Sequence, residues 1–146
     1  MPLQHQIDVR RLLVWTRTTG KLTLEGLLAS YAALKADPRF QPTMNHLIDS
    51  RLMAIPVMDP GELRRLAQVK IFSPQSRRAL IVPDNPLAFG LARMYQLYRE
   101  TLEPSAFNVF ISRDAAFRWM DLELDALPPE PFIDPPTADE AQPQTA

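Results

Sequence analysis

Apolar and polar positions alternate at two different periods along this chain, and the switches between them mark its elements. His5-Gln6-Ile7, a turn over Asp8 to Arg11, and Leu12 to Thr18 predict a β-hairpin that Gly20 ends. Thr23 then caps a helix to Ala36, with Leu24, Leu27, Leu28, Tyr31 and Leu34 at helical spacing, and Asp37-Pro38 stops it. His46 to Asp49 is a short strand. Asp59-Pro60-Gly61-Glu62 carries the N-cap, first-turn proline and capping-box glutamate of a second helix, with Leu63, Leu66 and Ala67 on its apolar face. Ala79 to Val82 has no polar alternation, as in a central strand covered on both faces. Asn85-Pro86 opens a third helix to Leu102, its buried side marked by Leu87, Leu91, Met94, Tyr95 and Tyr98. Phe107 to Ile111 is the last strand, and Ser112 caps a helix carrying Ala116, Phe117, Trp119 and Met120.

Strands joined through helices are expected to run parallel with right-handed crossovers. The reading is an α/β domain, a mixed five-stranded sheet with about four helices. Beyond Ala126 the pattern stops. Residues 127–146 hold six prolines, four acidic residues and no Lys or Arg. The expected organisation is one domain over 1–126 and a disordered Pro-rich acidic tail over 127–146, with Phe132-Ile133 its one apolar pair.

Composition narrows the function. The net charge of -1 argues against nucleic acid, which is bound through clustered Lys and Arg. The absence of cysteine removes disulfides and thiolate chemistry and suits a cytoplasmic location. The N-terminus has no signal-peptide pattern, and no apolar run is long enough for membrane insertion.

No chemistry-bearing motif emerges. The two histidines, His5 and His46, lack metal-ligand spacing. A triad of Ser50, His46 and Asp49 fails because strand neighbours point to alternate faces, and Asp49-Arg51 reads as a surface pair. The four glycines are isolated, so no phosphate loop forms, and Gly90 inside a helix is expected to reflect close packing on the sheet. Arg64-Arg65 and Arg77-Arg78 read as a solvated basic cluster. No catalytic residue, cofactor or metal is expected. The unusual feature is the link Leu52 to Met58, almost without polar side chains. Leu52, Met53, Ile55, Val57, Met58 and Asp59 form the candidate contact surface.

The order of Gly20-Lys21-Leu22-Thr23-Leu24-Glu25, Ala36-Asp37-Pro38-Arg39-Phe40, Leu47-Ile48-Asp49, Ile81 to Tyr95 and Val109 to Asp114 resembles the STAS fold, and within it the bacterial SpoIIAA-like (STAS/SEC14-like) group. The resemblance implies a non-catalytic, regulatory interaction module acting through protein contacts, homodimerisation included. Its alternative is a domain for a small apolar or lipid-like ligand. Anti-sigma antagonists of this fold are phosphorylated on a serine at the start of the second helix. The matching stretch here, Asp59-Pro60-Gly61-Glu62-Leu63, has no hydroxyl.

Overall fold

Asp8 closes the opening hairpin, between β1 (Leu3–Asp8) and β2 (Leu13–Gly20). Its buried carboxylate accepts from the Trp15 indole at 3.1 Å and from the Arg11 guanidinium at 2.8 Å. The structure, a computed structural model, describes residues 3–54 and 58–132. From the hairpin the chain runs through α1 (Leu24–Ala36), β3 (Asn45–Met53), α2 (Pro60–Ala67), β4 (Arg77–Ile81), α3 (Pro86–Leu102), β5 (Ala106–Phe110) and α4 (Arg113–Trp119).

The strands lie in sequence order, β1 antiparallel to β2 and the rest parallel. Each parallel connection steps one strand in the same direction. Right-handed crossovers therefore put α1, α2 and α3 on one face of the sheet. The core divides accordingly. Leu24 and Leu27, Leu63 and Leu66, and Ala92 and Tyr95 pack with Val82 and Phe107 on that face. On the other, α4 sets Ala116 and Phe117 against Trp15, Leu47 and Ile81.

The local signals act as expected at the caps. Thr23 and Asn85 accept from backbone N–H groups of the first helical turns, and Asp59 with Glu62 forms a complete capping box. Elsewhere the structure differs. Strand β3 continues to Met53, so the apolar link is shorter than its composition implies. In α3 the buried stripe is Ala88, Ala92, Tyr95, Gln96 and Arg99, while Leu87 is exposed. Small residues let this helix approach the sheet. The polar ends of its stripe are satisfied by backbone, Gln96 on the Phe107 carbonyl at 2.7 Å and Arg99 on the Ala67 carbonyl at 2.6 Å. Gly90 is on the exposed side, and a Cβ there meets nothing within 4 Å, so close packing does not explain it.

Past Ala126, residues 127–132 run back along the α4 face. Phe132 packs against its apolar cluster, and the Arg17 guanidinium lies 5.2 Å from the Phe132 ring centre. Ile133 and the residues after it lie outside the described residues.

Candidate functional site

Between the sheet and α1–α3 the packing leaves a cavity of about 110 Å³. The sheet contributes the side chains that alternate onto this face: Thr16 and Thr18 from β2, Ile48 and Ser50 from β3, Arg78 and Leu80 from β4, and Phe107 from β5. The helices cover it with Leu27 and Tyr31, Leu63 and Leu66, and Ala88, Ala92 and Tyr95. Leu22, Met53 and Met58 wall it at the C-terminal ends of β2 and β3, where parallel sheets commonly place sites. Ser50 reaches the cavity at an irregularity. Arg17 pairs with Asp49 but Thr19 with Leu52, so β3 carries one extra residue beside β2.

Six polar side chains of this region form one buried row. His5 Nδ1 lies 2.8 Å from Thr16 Oγ1, and Thr16 Oγ1 lies 2.7 Å from His46 Nε2. Arg78 Nε lies 3.4 Å from His46 Nδ1. The other guanidinium nitrogens of Arg78 reach the hydroxyls of Tyr95 at 3.5 Å and Tyr31 at 3.2 Å. An arginine can only donate, which orders the row. His46 Nδ1 accepts, so its proton sits on Nε2 and is donated to Thr16. The Thr16 hydroxyl in turn donates to His5 Nδ1, which leaves the His5 proton on Nε2, a buried atom with no hydrogen-bond partner among the described residues.

Burial keeps both imidazoles neutral. It pushes His5 down to about 4, against a smaller upward pull from the Ser30 backbone. His46 is held well below the usual imidazole range by burial first, and then by Arg78 and His5. Burial raises the Tyr31 phenol, opposed by the Arg78 charge. Arg78 is 8% exposed and stays charged, since guanidinium does not lose its proton in proteins. Its faces are covered by aromatic rings, Phe72 at 4.9 Å and Phe107 at 5.5 Å from the guanidinium carbon. Among the described residues no carboxylate lies within ion-pair distance of it. Thr18 Oγ1, also buried, has no hydrogen-bond partner there.

The structure thus divides the basic cluster expected from Arg77-Arg78. Arg77 is exposed and donates to the Trp119 carbonyl, while Arg78, one residue on, faces the helices. The signal was present in the alternation, because Arg78, Leu80 and Val82 share a face. The apolar strip is likewise not one surface. Leu52 is 67% exposed, Met53 and Met58 wall the cavity, and Asp59 caps α2. Ile55 and Val57 lie outside the described residues. Asp49 takes Arg51 in a bidentate pair at 2.9 and 2.7 Å, a partly exposed arrangement away from the cavity. His5 and His46 come together, their ring centres 6.4 Å apart. Among the described residues no group of three or more His, Asp or Glu side chains is placed to hold a metal ion.

No family model matches the chain, and no curated protein does. Among solved structures it is similar to the crystal structure of an uncharacterized protein of the DUF3478 family, with a SpoIIAA-like fold, from Shewanella loihica PV-4. The two share 18% sequence identity at a TM-score of 0.51, over 80% of this chain and 92% of the other. The fold of this protein is SpoIIAA-like, with a mixed five-stranded α/β sheet and four helices among the described residues. No helix of the described residues is long and apolar enough to cross a membrane.

Proposed function

We propose that this domain is a non-catalytic binding module, and that the cavity under α1–α3 takes a small, largely apolar ligand. The cavity itself carries the reading. Protein interiors leave few voids larger than a water molecule, and this one is walled almost entirely by aliphatic and aromatic groups. Water held against walls this apolar finds few hydrogen-bond partners. An apolar ligand that takes its place gains about 25 cal/mol per Å² of apolar surface covered. The volume is of the order that admits a benzene-sized body. Ala88 and Ala92 stand where larger side chains would close it.

The polar row argues against catalysis. Thr16 sits between two imidazoles, as a nucleophile would. However, His46 presents its proton to Thr16 and has its free lone pair turned to a cation. His5, the acceptor, titrates near 4, well below the range useful to a general base at neutral pH.

The test is binding of toluene, a neutral probe of benzene-like size, to the full chain, followed by ligand-observed NMR. Saturable binding that weakens in Ala88→Leu and Ala92→Leu supports the reading, and its absence in the parent protein contradicts it. A protein contact beside the cavity is the second reading, favoured by the exposure of Leu52 at the end of β3. A partner bound by the parent and lost in Leu52→Ser, with probe binding intact, would support it.

A further inference from the structure

We propose that Arg78 anchors a carboxylate, so that the ligand of this cavity is a small amphipathic acid, an apolar body ending in a single carboxylate. The inference rests on the cavity being a binding site and names the chemistry of what fills it.

A buried guanidinium costs several kcal/mol of lost hydration unless an anion and hydrogen bonds replace it. Every partner of Arg78 among the described residues is formally neutral: His46, two phenol hydroxyls and two phenyl rings. The nearby buried Arg99 shows the contrast. It has a carboxylate, Glu103, at 3.6 Å, and Glu103 is paired with Lys70 as well. Among the described residues Arg78 has no such group, yet it lines the cavity.

Its hydrogen-bond count leaves room for one. Three of the five guanidinium N–H groups are directed to His46, Tyr95 and Tyr31. The two that remain belong one to each terminal nitrogen, and a carboxylate that accepts from both would make a bidentate pair. Both phenols accept from Arg78 and keep their own O–H groups to donate. A monocarboxylate suits this set better than a phosphate, whose further oxygens and second charge would need donors that the apolar walls do not offer. From Arg78 the apolar body would extend past Leu66 and Ala92 toward Met53 and Met58.

The experiment compares octanoate with octanol, binding to the full chain at pH 7.5 and measured by displacement of the neutral probe. Octanoate is expected to bind about tenfold or more tighter, as a charge-assisted pair predicts. Arg78→Met should abolish that preference and leave octanol within about threefold of the parent value. If octanol binds as well as octanoate, Arg78 is not an anchor and the apolar cavity stands without it. If neither binds, the cavity reading falls too. Should Arg78→Met fail to fold, the parent ratio still decides, with methyl octanoate as the uncharged match in shape.

Discussion

Arg78 Nε lies 3.4 Å from His46 Nδ1, and the two residues are register partners on neighbouring parallel strands. That pairing sets the chemistry of the cavity. It places a permanent cation where the sheet face meets the helices. Together with burial, the larger cause, it keeps His46 neutral, with its proton turned toward Thr16. The imidazole stacks on Phe72, ring centres 4.6 Å apart, so the pair is fixed by packing as well as by hydrogen bonding.

The buried imidazoles make stability depend on pH in a defined window. An imidazole whose pKa falls on folding binds more protons in the unfolded chain. Its contribution is therefore complete above the unfolded value near 6.5 and is lost as pH falls toward the folded value. For His5 that window runs from 6.5 to about 4, and His46 acts in the same direction. Arg78, which faces His46, and Tyr31, near both rings, do not change charge in this range. Denaturant unfolding should show constant stability from pH 8 to 6.5 and a loss of several kcal/mol by pH 4, at up to about 1.4 kcal/mol per unit for each imidazole. His5→Asn should flatten part of the slope. A flat profile down to pH 4.5 would mean that the row is hydrated or charged.

Gly90 gives a second prediction. It is exposed within α3, and a Cβ there meets no atom within 4 Å. Gly90→Ala should stabilise the protein by about 0.5–1 kcal/mol, through helix propensity alone. A destabilised variant, read by thermal unfolding, would show that the glycine serves a contact outside the isolated domain.

The chain beyond Ala126 gives a third. Phe132 packs against the α4 cluster, lining a small cavity with Trp15, Leu47 and Phe117, under the Arg17 guanidinium, and the Glu130 N–H donates to the Gln6 side chain at 3.0 Å. Phe132→Ala should cost about 1 kcal/mol and lower Tm by about 2–4 °C. An unchanged Tm would put the end of the folded domain at Ala126.

Much of the architecture could be read before the structure, because strand alternation, caps and proline stops are local signals. Asp59-Pro60-Gly61-Glu62 and Asn85-Pro86 each start a helix where their side chains bond the free N–H groups. The buried face of α3 was harder to read. Hydrophobic size points to Leu87, but the helix sits on Ala88 and Ala92 because small residues allow close approach. Arg78 was harder still. A basic pair at the start of a strand reads as solvated; alternation sets Arg78 on the face of Leu80 and Val82, but the register partners His46 and Phe107 are what enclose it. The cavity has no sequence period, since its walls come from all of β1–β5 and α1–α3.

The methionines allow the central claim to be tested within one spectrum. Met53 and Met58 wall the cavity, whereas Met44 and Met120 are buried in separate clusters. With methyl-13C-methionine in the full chain, titration with octanoate should shift the Met53 and Met58 resonances saturably and leave those of Met44 and Met120 in place. Saturable shifts at Met120 or Met44 with Met53 and Met58 unmoved, or no saturable shift at any methionine, would contradict a ligand site under α1–α3.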